Sequence, residues 1–339
     1  MLRPELDHPS TIREVGTGQW RVSSGTAAAL GLLDLRMDVA PTTAYLLLGE
    51  RCVNDCAFCT QARSSQASIG ALSRVPWPQF PAERVIEALS RAYVAGRIVR
   101  ACFQVTVGPA HLQEAQGAVA SLASSVGIPI CASVVAHDLG GVRCLLEAGC
   151  ERVTLALDAA CERIYRQIKG PRWERLLNLL TKAARTYPGR LGTHLIVGLG
   201  ETEREMAERM QALYDLGVTI GLFAFTPVAG TRLADCPPPP LLQYRRVQVA
   251  RWLIVHGLAR AEDYDYDATG RIHGYGMDAK ALEEILRGGD AFRTSGCPGC
   301  NRPYYNERPG GVLYNYPRAP TAAEWHHEIE NLLASLGRG

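Results

Sequence analysis

The sequence lacks a long hydrophobic run, an excess of one charge and an apolar leader. No stretch approaches the roughly 18 apolar residues that a membrane helix needs, so no membrane partner is expected. The opening MLRPELDHPS has no signal-peptide core, and the expected location is the cytoplasm. Thirty-six Lys and Arg oppose 34 Asp and Glu, a formal net charge of +2. That balance gives no global reason to expect nucleic acid, and no basic, aromatic-interleaved appendix is present. The eight histidines show neither HxH nor HExxH spacing, and His326-His327 reads as a solvated helix face. Apolar residues at 47% and charged residues at 21% exclude a disordered chain.

Cysteine is what the chain does have. There are 11, an odd number, in 339 residues with no secretion signal. Three lie within eight residues and two more form a CxxC. In a reducing compartment such clusters point to metal ligands rather than disulfides.

The chain has a βα rhythm. Thr43–Gly49 (TAYLLLG) is a short apolar run ending in glycine, the pattern of a buried strand. Further strands are expected at Val99–Val107, Ile128–Val134, Arg152–Leu157, Thr193–Leu199 and Thr219–Phe225. Tyr264–Asp267 and Ala291–Thr294 are weaker candidates for a seventh and an eighth. Amphipathic helical segments separate them, such as PAERVIEALSRAYVAG and ETEREMAERMQALYDLG. The expected fold is α/β: a TIM-type (β/α) barrel, complete or nearly so, with a doubly wound sheet as the alternative. Residues 1–40 read as an N-terminal helical extension, 41–295 as the barrel, and 296–339 as a loop-rich, cysteine-containing tail with a final helix.

The strongest motif is Cys52-Val-Asn-Asp-Cys56-Ala-Phe-Cys59, directly after the first expected strand. Three thiolates on one tight loop can hold three irons of a cubane cluster and leave the fourth open. Loops at the carboxyl ends of barrel strands are where such folds build active sites. The plainer reading is a zinc site one ligand short, or unrelated buried cysteines.

This CxxxCxφC loop, with Phe58 in the aromatic slot, resembles the signature of the radical S-adenosylmethionine (SAM) superfamily. The resemblance implies a [4Fe–4S] cluster on Cys52, Cys56 and Cys59, with SAM on the open iron. It also implies reductive cleavage of SAM to a 5′-deoxyadenosyl radical and an electron donor of ferredoxin or flavodoxin type. Gly192 to Glu201 (GTHLIVGLGE) looks like the family's adenine-contacting segment, which assigns Ile196, Gly198 and Glu201 to the cofactor. Ordinary strand packing explains the same residues. Asp158 matches the second half of an Asn-x-Asp ribose site whose asparagine is replaced here by Ala156. Arg175 in WERLLNLL matches an arginine that binds the methionine carboxylate, although a solvated helix face explains it as well. No GGE triplet follows the second strand.

The second cysteine group is similar to that of biotin synthase and its relatives. Cys102 and Cys131 match two ligands of a sulfur-donating cluster, and the third falls on Gly192. Cys297-Pro-Gly-Cys300 supplies a new pair, and Ser295 resembles a cluster-ligating serine of lipoyl synthase. A structural zinc on Cys297 and Cys300, and simple burial of Cys102 and Cys131, are the competing readings. Cys144, Cys150, Cys161 and Cys236 read as structural.

Taken together, the chain looks most like the two-protein type of lipoyl synthase. That resemblance implies sulfur insertion at C6 or C8 of a protein-bound octanoyl chain, with sulfur from a sacrificial auxiliary iron–sulfur cluster, expected to be [4Fe–4S]. The implied partners are an octanoylated lipoyl carrier (a lipoyl domain or H protein) and a companion radical SAM synthase. Biotin synthase and methylornithine synthase are the alternatives within the superfamily. Outside it stands a zinc-binding interaction protein.

Overall fold

The computed structural model describes residues 18–307 and 310–336. Residues 1–17, and with them the start of the N-terminal extension, lie outside the described residues. Eight strands form one sheet: β1 (Gln19–Val22), β2 (Thr43–Leu48), β3 (Gln79–Pro81), β4 (Arg100–Val105), β5 (Ile130–Ser133), β6 (Cys150–Thr154), β7 (Leu191–Val197) and β8 (Thr219–Ala224). Their spatial order is β8-β7-β6-β5-β4-β2-β1-β3. The six strands from β8 to β2 run parallel. β1 is antiparallel to both β2 and β3.

Apolar residues such as Leu46, Phe103, Ala132, Val153, Leu195 and Leu222 bury one face of these strands in the core, while alternate residues such as Tyr45, Cys102 and His194 line a cavity on the other. Helices at His111–Ser125, Leu139–Glu147, Trp173–Thr186 and Glu203–Asp215 pack between and against them. The last of these starts with a capping box: the Thr202 hydroxyl accepts from the Glu205 N–H, and the Glu205 carboxylate accepts from the Thr202 N–H.

The six main strands fall where the sequence predicts them. The expected seventh and eighth do not join the sheet. Tyr264–Asp267 contributes only Asp265–Tyr266, paired with Ile272–Gly274 in a separate hairpin. Ala291–Thr294 is mostly a 3-10 turn, Asp290–Phe292. Among the described residues the sheet therefore does not close into a complete barrel. Side chains explain why β8 takes no further strand. The Ser295 hydroxyl accepts the Leu222 N–H at 2.9 Å. Arg251, Arg302 and Asn306 donate to the carbonyls of Ile220, Leu222 and Ala224. Those bonds satisfy the edge that another strand would otherwise have to cover.

The same tail reaches across the opening to the start of β2. Asn301 accepts the Thr42 N–H and donates to the Ala40 carbonyl, both at 2.9 Å. The Tyr45 hydroxyl accepts the Arg302 N–H at 3.0 Å. The segment 295–306 thus spans the gap between β8 and β2 as a loop. Among its described residues, the segment read as a helical lead-in holds strand β1 and one short helix, Ser24–Ala29. No helix of the described residues is long and apolar enough to cross a membrane.

Candidate functional site

The loop after β2 carries Cys52, Cys56 and Cys59. Arg51 fixes its shape by donating to the carbonyls of Thr60, Ala62, Ser65 and Ala67. The Cys52 N–H donates to Gln61, the Ala57 N–H to Ile168, and the Val107 N–H points to the Cys52 sulfur at 3.3 Å. All three thiols are free and half-buried. Burial pushes the Cys56 thiol up to about 11 and Cys59 up to about 12, and the neighbouring thiols add to both shifts.

Among the described residues no three Cys, His, Asp or Glu side chains are placed to share a single metal ion. A cluster spreads its thiolates over separate irons, so the donor set is the relevant test. Three unbridged thiols crowd one loop, and burial disfavours the thiolates of Cys56 and Cys59 unless a cation is present to hold them. Such a trio calls for several cationic centres, and the residues fit an iron–sulfur cluster.

The loop borders a cavity of about 1090 Å³ inside the sheet. Phe58, Cys59, Asp158 and Ile196 line it. Asp158 sits in the left-handed region at φ +65° and bridges to Leu195, extending the β6 end toward β7. Its carboxylate accepts the Lys169 ammonium at 2.6 Å. His194 also lines the cavity, its ring 5.0 Å from Phe223. Burial holds the His194 imidazole down to about 4.

Two other assigned residues do different work. Glu201 is buried, and its carboxylate accepts the N–H groups of Gly198 and Leu199 at 2.7 and 2.9 Å. This bond closes the turn after β7, where Gly198 has φ +100° and an added Cβ would meet Pro239 at 2.8 Å. Arg175 is exposed, donates to the His137 carbonyl at 3.5 Å and does not line the cavity. Glu201 and Gly198 do not line it either.

The second cysteine group does converge on the cavity. Cys102, Cys131, Cys297, Cys300 and Ser295 all line it. Cys102 and Cys131 are directly opposed on β4 and β5. The Cys131 thiol lies within hydrogen-bonding reach of both Cys102 and Cys297; the Cys102 contact, then burial, pushes Cys131 up, and the Cys131 contact, then burial, pushes Cys297 up. Cys300 is 3.2 Å from the hydroxyl of Tyr45, whose register partner on β4 is Cys102. Arg100, at the start of β4, is buried, pairs with Glu151 at 2.7 Å and donates to Pro298. The group lies toward the amino ends of the strands, opposite the three-cysteine loop. At Gly192, where the family pattern has a third cysteine, an added Cβ would meet the Thr154 hydroxyl at 2.9 Å.

Sequence reasoning missed Arg51, Tyr45, Lys169, His194 and Arg302. Tyr45 and Arg302 act through contacts far along the chain, Arg51 and Lys169 through partners 9–16 residues away, and His194 lies within the Gly192–Glu201 segment at a position to which the motif assigns no role. The exposed clue was scarcity: the chain has only three lysines among its 36 basic residues, and one of them is buried at this site.

Residues 46–213 match the family model of the radical SAM superfamily. A biotin synthase from Desulforudis audaxviator is 31% identical over 202 residues, 58% of this chain and 59% of that one. A lipoyl synthase from Thermus thermophilus is 27% identical over 207 residues, covering 58% and 62%. The chain thus spans less than two thirds of these relatives. In fold it is similar to the FeFe-hydrogenase maturase HydG from Carboxydothermus hydrogenoformans, with a TM-score of 0.51, 16% identity, and 85% of this chain and 65% of that chain covered. With its cysteine loop at the head of the matched segment, the chain carries a radical SAM domain and is related to the biotin and lipoyl synthases.

Proposed function

We propose that this chain is a sulfur-insertion enzyme of the lipoyl synthase type, acting at C6, C8 or both of an octanoyl chain on a carrier-protein lysine. One observation carries the reading: Cys102, Cys131, Cys297 and Cys300 line the same cavity as Cys59, Asp158 and Ile196. A radical SAM domain works with a [4Fe–4S] cluster and SAM, which when bound supply a carbon radical able to take hydrogen from an unactivated carbon.

Cys52, Cys56 and Cys59 would hold that cluster. Cys102, Cys131, Cys297 and Cys300, with Ser295 beside them, would hold an auxiliary cluster that supplies sulfur. Asp158 and Ile196 would bind the nucleoside end of SAM. Trp77, Phe225 and Val228 give the cavity apolar walls suited to an alkyl chain. The tail, tied to β2 and β8, walls one side of the cavity. The partners in this reading are an octanoylated lipoyl domain or H protein, a companion radical SAM synthase, and a ferredoxin- or flavodoxin-type donor.

Identity to a biotin synthase at 31% supports a second reading, biotin formation. Glycine at position 192, where the third sulfur-site cysteine would stand, counts against it, and an added Cβ there would have to displace the Thr154 hydroxyl. The test is anaerobic turnover of the reconstituted chain, with and without a companion synthase. An octanoyl-lysine peptide is offered in one arm and the sulfur-free precursor of biotin in the other. The expected result is a peptide heavier by sulfur, with deoxyadenosine formed. Turnover of the biotin precursor alone would overturn the lipoyl reading.

A further inference from the structure

Lys169 ends the helix Glu162–Lys169 and does not line the cavity. It stands behind the cavity wall, 12% exposed, against Asp158, 10% exposed. Its ammonium donates to Asp158 Oδ2 and to the Ala156 carbonyl, each at 2.6 Å. It also lies 5.4 Å from the ring centre of Tyr165. Ala156 and Asp158 both line the cavity beside Cys59. One residue earlier on the same helix, the Ile168 carbonyl accepts the Ala57 N–H of the cysteine loop at 2.8 Å. A single helix end therefore ties the cysteine loop to the carboxylate that faces the cavity.

Resting on the radical SAM domain identified above, we infer that Lys169 is a positioning residue for SAM. It commits Oδ2 of Asp158, holds the residue in its left-handed conformation, and leaves the other oxygen for a ribose hydroxyl. The ammonium also occupies the polar position beside Ala156, whose side chain can offer no hydrogen bond. An ammonium donating at 2.6 Å to one carboxylate oxygen fixes that carboxylate in direction.

The test uses the full chain, anaerobically reconstituted. It reads three quantities: iron content, SAM affinity, and the change in the reduced cluster's EPR spectrum on adding SAM. Lys169→Met is expected to keep the iron of the three-cysteine loop and to bind SAM at least tenfold more weakly, with a blunted EPR change. Lys169→Arg should recover part of the loss. Asp158→Asn should lose as much, and Lys169→Met/Asp158→Asn should lose no more than either single change. The double variant leaves no unpaired buried charge, so it carries the test if Lys169→Met does not fold. SAM affinity within twofold of the parent in Lys169→Met, or in the double variant, would overturn the inference. So would additive losses. Iron lost together with SAM binding would also overturn it, because the lysine would then be a support of the cysteine loop.

Discussion

Glu201 and His194 show how far a residue's neighbours decide its work. The motif around Glu201 suggests a ligand contact, yet its carboxylate is spent on the Gly198 and Leu199 N–H groups. Burial raises the proton affinity of that carboxyl, and the two N–H donors oppose the rise. His194 passes from the sequence as an irregularity in a glycine-rich strand end, and it proves to be part of the cavity wall. Its imidazole titrates near 4 in the folded chain because burial disfavours the cation. The unfolded value is about 6.5. Between those values the unfolded chain binds more protons, so stability is full above about pH 6.5 and falls as the pH drops toward 4. The ceiling is about 3 kcal/mol, and the ring's half-buried place on the cavity wall keeps the effect below it. Thermal melting at pH 7.5 and pH 5 checks this: His194→Phe should lose a few degrees less on acidification than the parent. Equal losses would assign the acid sensitivity elsewhere.

At the scale of elements, the six parallel strands were legible because each places a short apolar-rich run between helical segments. β1 and β3 were not, since QWRV and QFP are short and half-polar and pair only through the antiparallel edge. The seventh and eighth strands failed for a reason no local pattern carries. The edge they would have covered is met by side chains from residues 251, 295, 302 and 306.

The helices at Leu241–Val255 and Ala322–Leu336 meet at a joint that no local pattern announces. Arg245 is fully buried and grips Glu328 with two bonds of 2.8 and 2.7 Å, while also donating to the carbonyls of Leu313 and Tyr314. Removing one partner leaves a buried charge alone, which costs about 3–5 kcal/mol. Denaturant unfolding should show Arg245→Met destabilised by that amount. Arg245→Met/Glu328→Leu should recover most of it. A double variant no better than the single would mean that packing, not the charge pair, holds the last helix.

For the whole molecule, the decisive feature is that Cys59 of the three-cysteine loop and all four cysteines of the second group line one cavity. The first was fully legible, because its three residues share a short loop and need no fold to bring them together. The second was legible only as a list of positions. Two of its cysteines sit on adjacent strands and two on the tail that bridges β8 to β2, so their meeting depends on the topology. Tyr45 and Arg302, which hold the tail in place, could not be read before the fold was known. The central claim is that each group holds its own cluster. Iron and sulfide counts on the anaerobic chain test it most directly, taken beside Cys52/Cys56/Cys59→Ala and Cys297/Cys300→Ala variants. The account predicts about eight irons per chain, with about four lost in each variant. Four irons in the parent, with the tail variant losing only zinc or nothing, would contradict it.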